Sequence, residues 1–212
     1  MIRSLAMGWG LFVAAGLTGL AAAGAPQVAP SDTASTLTVG QPLPAFESLD
    51  DQGQVWKSSD HVGKRIVVLY AYPGDFTGGC IRQAQTFQDG IARLTAADIQ
   101  VVGLSGDSVE THRLFHESHN LTYTLLADPE GAVAERLGIP AVKKVERVRT
   151  SGLDGKPLTN DRQRSIIVER PVTLPRWTLI IGRDGKLVSK RTNVDPAKDA
   201  DEVLQIVAGL GK

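Results

Sequence analysis

Cys80 is the side chain of this sequence whose position points most directly to chemistry. It is the only cysteine among the 212 residues, and it follows Gly78 and Gly79 where a strand-like run gives way to a helix-like one. A structural cysteine more often lies inside an apolar run, because a free thiol packs as a small hydrophobe. At the start of a helix, backbone N–H groups and the positive end of the helix dipole instead favour the thiolate. The position therefore predicts nucleophilic or redox chemistry.

The neighbours of Cys80 also suit a reactive sulfur. Gly78 and Gly79 carry no side chain that would block its approach, and Pro73 ends the preceding strand and fixes the turn. Thr77 offers a hydroxyl three residues before the thiol. A thioredoxin-type reductase needs a Cys-x-x-Cys pair at such a turn. The stretch Thr77-Gly-Gly-Cys80 has a single thiol, so it cannot cycle an internal disulfide.

The elements that must position Cys80 follow an alternating α/β order. Residues 66–72 form an unbroken β-branched and aromatic run, which is typical of a strand buried on both faces. Residues 80–97 predict a helix whose apolar positions, among them Ala84, Phe87 and Leu94, recur every three or four residues. With a second buried strand over 99–105, this helix completes a parallel βαβ unit. Residues 176–191 predict a hairpin through an Asp-Gly turn. Residues 195–210 predict an amphipathic helix with Val203 and Leu210 on its buried side. This order predicts an α/β, thioredoxin-like fold in which helices flank a central mixed sheet.

The first 25 residues predict a secretory signal peptide. Arg3 precedes an uncharged run that ends in a cluster of alanines, which is the order of basic start, apolar centre and small residues at the cleavage site. The same run, from Ser4 to Ala25, is also long enough to be an uncleaved anchor across a bilayer core of about 30 Å. We expect cleavage, because Gly and Ala make the run only weakly apolar. We therefore expect the protein to be exported to a bacterial periplasm.

The rest of the chain has the composition of one globular domain. Residues 26–39 are polar and predict a flexible leader, and residues 40–212 predict the domain itself. The chain is 42% hydrophobic and 22% charged, which is ordinary for a domain of this size. Because the formal net charge is zero, the molecule has no general attraction to nucleic acid, and no such partner is expected.

Residues 141–175 are the least regular part of the domain. They carry eight Lys and Arg residues against four Asp and Glu residues. We expect an extended surface hairpin inserted into the domain, because charged excursions are usually solvated. A docking surface for a reductant or for a second subunit is the alternative.

The stretch "YPGDFTGGC" at residues 72–80 resembles the active-site loop of peroxiredoxins, in which Pro-x-x-x-Thr-x-x-Cys carries the peroxidatic cysteine. Pro73, Thr77 and Cys80 fill those positions in register. The resemblance covers nearly everything after residue 40 except residues 141–175, and the subgroup it points to is the bacterioferritin comigratory, or Q-type, peroxiredoxins. Arg176 matches the arginine that the family folds over the cysteine.

The resemblance implies a thiol-dependent peroxidase that reduces hydrogen peroxide and organic hydroperoxides without metal, haem or flavin. Cys80 would attack a peroxide oxygen and become a sulfenic acid, while Arg176 holds the thiolate and polarises the O–O bond. Thr77 would contact the peroxide, and Pro73 would shield the sulfur from bulk water. The Cys80 backbone N–H would donate to the developing oxyanion.

Three positions depart from the family pattern. Gly78 replaces the usual proline after the threonine, Gln83 replaces a glutamate, and Gln85 stands where Q-type enzymes often carry a resolving cysteine. The resemblance therefore implies a one-cysteine enzyme, reduced by a thioredoxin-like protein or a low-molecular-weight thiol. A homodimer is left open. The alternatives are a redox-sensing or thiol-transfer protein that uses Cys80, and a non-catalytic interaction module built on the same fold.

Three histidines fall on neighbouring turns of the helix that follows the second buried strand. They are His112, His116 and His119, and pairs spaced by four residues can bind zinc. No carboxylate or thiol in the sequence pattern offers an obvious third or fourth ligand. We therefore expect ordinary scaffold residues and no metal site.

Overall fold

The computed structural model describes residues 37–210, which form a seven-stranded mixed sheet with helices and a separate two-stranded hairpin. The strands are β1 (Glu47–Asp50), β2 (Val55–Lys57), β3 (Ile66–Ala71), β4 (Ile99–Ser105), β5 (Thr124–Ala127), β6 (Val142–Arg149), β7 (Ile167–Thr173), β8 (Trp177–Ile181) and β9 (Leu187–Arg191). The helices are α1 (Gly78–Ala96), α2 (Val109–Ser118), α3 (Ala132–Arg136) and α4 (Asp199–Leu210).

The amino-terminal predictions fall largely outside these residues. The signal peptide expected at 1–25 and most of the leader expected at 26–39 are not among the described residues. Leu37, which the sequence assigned to the leader, is only 2% exposed and belongs to the hydrophobic core. Within 37–210, no helix is both long enough and apolar enough to cross a membrane.

The order of the large sheet is β2-β1-β5-β4-β3-β8-β9, which confirms the predicted central mixed sheet. All six residues of β3 are buried, as the unbroken apolar run predicts. Val68 illustrates the mixed pairing, because it lies opposite Val101 of the parallel strand β4 and opposite Ile180 of the antiparallel strand β8. The carboxyl end of β3, where the loop to Cys80 begins, therefore lies beside the start of β8.

Helix α1 covers one face of the sheet with its predicted apolar side. Ala84, Phe87 and Leu94 are buried, and Gly90 faces helix α4, where an added Cβ would lie 3.5 Å from the Cβ of Ala200. Gly90 is therefore a packing position at the contact between α1 and α4. The helix begins at Gly78, two residues earlier than predicted, so Cys80 is its third residue.

The apolar face predicted for α4 is only partly correct. Val203 is fully buried, whereas Leu210 is 47% exposed. The fully buried residues of α4 are Asp199, Ala200 and Val203, so the buried part of the helix is its amino-terminal part.

Replacing Phe87 with alanine tests the α1 contact with the sheet. Phe87 is fully buried and stacks on Tyr70 of β3 with ring centroids 4.8 Å apart. We expect the free energy of unfolding to fall by roughly 3–5 kcal/mol, because the substitution leaves a cavity and removes an aromatic contact. Urea unfolding followed by circular dichroism measures this loss. A loss below about 1 kcal/mol would contradict the packing described here.

Strands β6 and β7 form an antiparallel hairpin that is separate from the main sheet. We call residues 142–173 the hairpin arm. Its outer part is exposed, but β7 becomes buried towards its end, where Val172 reaches the loop after β4. An added Cβ on Gly106 in that loop would lie 2.0 Å from the Val172 carbonyl oxygen. The end of the arm therefore packs tightly against the loops that follow β3 and β4.

Candidate active site

Cys80 and Arg176 meet at the carboxyl end of β3. The Cys80 side chain is 1% exposed, and its Sγ accepts a hydrogen bond from Arg176 Nη2 at 3.3 Å. Arg176 directly precedes β8, and the first residue of β8, Trp177, pairs with Ala71 at the end of β3. The pairing of these two strands therefore brings the guanidinium over a thiol 96 residues away in sequence.

The two glycines before Cys80 have different roles. An added Cβ on Gly79 would lie 3.2 Å from Arg176 Nη2, so a side chain there would crowd the guanidinium. An added Cβ on Gly78 would meet nothing within 4 Å, and this residue is exposed. Gly79 leaves room for Arg176, whereas Gly78 leaves one side of the site open.

Arg176 is held in place by a chain of buried polar groups. Its Nη1 donates to Gln83 Oε1, and the Gln83 amide donates to Asp199 Oδ2 at 2.7 Å. The same Asp199 oxygen accepts from Thr178 Oγ1 at 2.7 Å, and its other oxygen pairs with Arg191. The Gln83 amide can serve both neighbours at once, because it offers an acceptor to a guanidinium and a donor to a carboxylate. A glutamate here would place a second carboxylate beside Asp199.

Thr77 forms the N-cap of α1 without a side-chain capping bond. Its hydroxyl donates to the Gly74 carbonyl at 3.3 Å, and its carbonyl accepts from the Cys80 N–H at 2.9 Å. The Cys80 N–H, which the sequence assigned to an oxyanion, is therefore already bonded within the helix. The difference arises because α1 begins two residues earlier than predicted. Pro73 is half-buried at the start of the loop.

The loop from β3 to Cys80, residues 72–80, is the active-site loop, and its backbone is strained. Phe76 has a φ of 60°, a conformation that bulky residues rarely adopt. Gly74 has a φ of 146°. The Phe76 ring is buried against Phe115, edge to face, at 5.1 Å between centroids. Such a backbone persists only where its surroundings hold it.

A buried polar network lies beneath this loop. Asp75 accepts from Tyr72 Oη at 2.8 Å and contacts His112 Nδ1 at 2.8 Å, while His112 Nε2 is 3.1 Å from the Leu126 carbonyl oxygen. Because both partners of the imidazole are acceptors, both ring nitrogens donate and His112 carries a positive charge. Burial lowers the pKa of His112, but the Asp75 carboxylate outweighs it and the net pKa is raised. With both nitrogens occupied, His112 is not free to bind zinc.

Asp107 joins the loop to the strand β4 and to the hairpin arm. Its Oδ2 accepts from the Asp75 N–H at 2.8 Å and from Ser105 Oγ at 2.7 Å, and its Oδ1 accepts from Arg170 Nε at 3.0 Å. Burial has the largest effect on Asp107 and, together with the nearby Asp75 carboxylate, raises its pKa to about 6. The positive charges of His112 and Arg170 lower the pKa but do not outweigh these two causes.

The raised pKa of Asp107 predicts a specific pH dependence of stability. Between about pH 4 and pH 6 the folded protein binds more protons at Asp107 than the unfolded chain does, so this residue's contribution to stability falls as pH rises. Relative to an Asp107→Asn variant, we expect the wild-type free energy of unfolding to decline by roughly 3 kcal/mol over that window. Urea unfolding of both proteins at matched pH values measures the difference. A difference that stays constant from pH 4 to 6 would refute it.

Sequence reasoning missed most of this network, although it noticed some of its members for other reasons. His112 was noted only for its spacing to His116. Asp107 and Ser108 both stand where a residue could cap α2, and the structure uses Ser108, whose hydroxyl accepts from the Thr111 N–H at 3.3 Å. Arg170 carried no signal, because nothing in a basic, charged segment marks one arginine as the buried one.

Comparisons with known proteins match most of the chain, including the stretch that carries Cys80. A model of the AhpC/TSA family matches residues 39–190, which include both Cys80 and Arg176. The chain is 37% identical to peroxiredoxin Bcp of Bacillus subtilis, over 84% of this chain and 99% of that protein. It is 39% identical to the chloroplastic peroxiredoxin Q of Sedum lineare, over 82% of this chain and 80% of that protein.

Solved structures of two peroxiredoxins share the fold of this chain. Peroxidoxin BcpB from Mycobacterium tuberculosis superposes with a TM-score of 0.64 at 26% identity, covering 82% of this chain and 98% of the other. A cysteine-to-serine mutant of PrxQ from Xylella fastidiosa superposes with a TM-score of 0.65, covering 84% and 99%. That pair is 20% identical, so the likeness shows the fold alone.

Proposed function

Because the chain belongs to the AhpC/TSA family, we propose that it is a thiol peroxidase that reduces hydrogen peroxide and organic hydroperoxides through Cys80. The observation that carries this proposal is the 3.3 Å hydrogen bond from Arg176 to a buried thiol in the first turn of α1. A permanent cation and a helix N-terminus both stabilise the thiolate, which is the form that attacks peroxides. No metal or organic cofactor is required for this reaction.

In the first half-reaction, the Cys80 thiolate attacks the terminal oxygen of the peroxide. An S–O bond forms while the O–O bond breaks, so Cys80 becomes a sulfenic acid and hydroxide or alkoxide departs and takes up a proton. Negative charge thus moves from sulfur to oxygen, and a donor must follow it. Since the Cys80 N–H is bonded to Thr77, we assign this role to the Arg176 guanidinium.

Thr77 and Pro73 complete the site in this proposal. The Thr77 hydroxyl donates its proton to the Gly74 carbonyl, which leaves its oxygen lone pairs free to accept from the peroxide O–H. Thr77 therefore orients the peroxide as an acceptor. The half-buried ring of Pro73 limits access of water to the sulfur, which slows further oxidation of the sulfenic acid.

The second half-reaction needs a thiol from outside the chain. Gln85 occupies the position of a resolving cysteine, and its amide donates to the His119 carbonyl at 3.0 Å. A first external thiol condenses with the sulfenic acid and releases water, and a second thiol reduces the mixed disulfide to regenerate Cys80. A thioredoxin-like protein or a low-molecular-weight thiol fits this role, and neither requires a homodimer.

Export to a bacterial periplasm is a separate proposal that rests on the composition of residues 1–25. It predicts that the protein recovered from its native compartment lacks these residues. Amino-terminal sequencing of that protein tests the cleavage, and its recovery in the periplasmic fraction of the cells tests the export. An intact Met1 on protein confined to the cytoplasmic fraction would contradict the proposal.

Turnover with a simple thiol tests the proposed activity. Purified protein, hydrogen peroxide and excess dithiothreitol are mixed, and peroxide loss is followed over time. We expect many peroxide molecules to be consumed per protein, and a sulfenic-acid trap added with the peroxide to label Cys80 and stop the reaction. Consumption equal to that of dithiothreitol alone, with Cys80 unlabelled, would overturn the assignment.

A further inference from the structure

The hairpin arm reaches the active-site loop through one buried arginine. Arg170 of β7 is 1% exposed; its Nε donates to Asp107 Oδ1 at 3.0 Å and its Nη2 donates to the Asp75 carbonyl oxygen at 2.7 Å. Its remaining nitrogen, Nη1, lies 3.7 Å from Glu146, which is opposite it on β6. One guanidinium thus ties together both strands of the arm, the loop after β4 and the active-site loop.

The active-site loop is shaped to receive this side chain. An added Cβ on Gly74 would lie 1.8 Å from Arg170 Nε and 2.0 Å from Arg170 Cζ. Any other residue at position 74 would therefore displace the guanidinium. The φ of 146° at Gly74 likewise favours glycine.

The contact holds the loop at its strained point. Arg170 binds the carbonyl of Asp75, and the next residue, Phe76, has the unfavourable φ of 60°. The Asp75 N–H is fixed in turn by Asp107, so both peptide groups of this residue are held from outside the loop. Removing the arginine would release the loop where it stores backbone strain.

The loop must also move if a large thiol is to reach Cys80. Cys80 is 1% exposed, so the thiol of another protein cannot contact its sulfur in this conformation. A small peroxide needs far less room than a protein reductant. The groups that hold the loop therefore control the access of large reagents, and Arg170 is the one that comes from the hairpin arm.

We propose that Arg170 is a positioning residue that latches the active-site loop to the hairpin arm and thereby sets how often Cys80 becomes accessible to large thiol-directed molecules. The latch itself follows from the contacts above. Its consequence for the catalytic cycle rests on the proposed function: a weaker latch slows oxidation by peroxide, which needs the ordered site, and speeds reactions that need the open loop.

Alkylation of Cys80 by a maleimide carrying a polyethylene glycol chain tests the latch without any peroxide. We expect the reduced Arg170→Met protein to react at least about tenfold faster than wild type, because a buried charged hydrogen-bond donor is lost. Arg147→Met is the matched control, since Arg147 lies on the same arm but is exposed beside Glu169. It should react at the wild-type rate.

Further variants separate a latch from general loss of stability. Leu187→Ala removes a buried side chain in the core on β9 and should not speed alkylation comparably, even though it destabilises the fold. Arg170→Lys keeps the charge but not the planar fork, so it should fall between wild type and Arg170→Met. If Arg170→Met does not fold, the lysine variant decides the test by itself.

A double-mutant cycle supplies the final check on the Arg170 contact. Gly74→Ala should expel the guanidinium and speed alkylation, and adding Arg170→Met to it should bring little further change. Full additivity of the two effects would overturn the latch, as would an Arg170→Met rate within twofold of wild type or equal acceleration by Leu187→Ala.

Oxidation by hydrogen peroxide is measured on the same proteins. It should slow roughly tenfold in Arg170→Met while alkylation accelerates, and these opposite changes are not expected from a purely structural defect. If every variant, wild type included, reacts with peroxide no faster than a free thiol, the proposed function fails. The maleimide rates then still decide whether Arg170 is a latch.

Discussion

A Cys80→Ser protein is expected to consume hydrogen peroxide no faster than the protein-free solution, a loss on the order of 10⁴-fold or more. The chain has no second thiol to take over, and a serine hydroxyl is not ionised beside Arg176 at neutral pH. Peroxide consumption with dithiothreitol as the reductant, followed under pseudo-first-order conditions, measures the loss.

The serine variant must keep its fold for this result to count. Serine is close in size to cysteine, so circular dichroism and the urea midpoint should stay near those of wild type. A folded Cys80→Ser protein that retains more than about a tenth of wild-type turnover would show that peroxide is reduced elsewhere, and the assignment of Cys80 would be wrong.

An Arg176→Ala protein is expected to lose roughly 10²–10³-fold in the second-order rate constant for oxidation by peroxide, equivalent to about 3–4 kcal/mol of transition-state stabilisation. Arg176 is the only group observed to donate to the sulfur among the described residues. It is half-buried, and Gln83, which is itself bonded to Asp199, holds it in a preorganised position. Rapid mixing with stoichiometric peroxide, followed by acid quenching and intact mass, measures the rate.

Two further arginine variants show whether the loss of oxidation rate is specific to the guanidinium beside Cys80. Arg183 is an exposed arginine on the turn after β8, where it pairs with Asp98. Replacing it with alanine should leave the oxidation rate unchanged. Arg176→Lys should recover part of the loss, because it restores the charge without the planar fork that contacts both Gln83 and Cys80. Equal rates for Arg176→Ala and wild type would remove the guanidinium from the mechanism.

The elements around the site were predictable where a single periodicity decides the structure. Strand β3 is buried on both faces and its sequence is correspondingly apolar throughout, and the face of α1 repeats every three or four residues. The start of α1 was missed, because Gly78 and Gly79 have low helix propensity and are helical only through their tertiary setting. The exposed Leu210 was misassigned because a helical pattern does not show where the neighbouring helix ends.

The site itself was predictable only in its central pair. Cys80 was identified from its position at the start of a helix and Arg176 through the family resemblance, whereas the polar groups that hold them come from distant parts of the chain. Gln83 and Asp199 are 116 residues apart, and Arg170 and Asp107 are 63 apart. No local pattern records such contacts. Gly74 was a signal that the sequence did offer, since a glycine within the motif is typical of a backbone that another group approaches closely.

The most direct measurement is the rate at which one equivalent of hydrogen peroxide oxidises Cys80 in the folded protein and in the same protein unfolded in guanidinium chloride. The unfolded chain keeps the thiol but loses Arg176 and the helix terminus, so it is the reference for an unassisted cysteine. We predict a single-oxygen mass increase at Cys80 that is roughly 10³-fold or more faster in the folded protein. Equal rates in the two states would contradict the account.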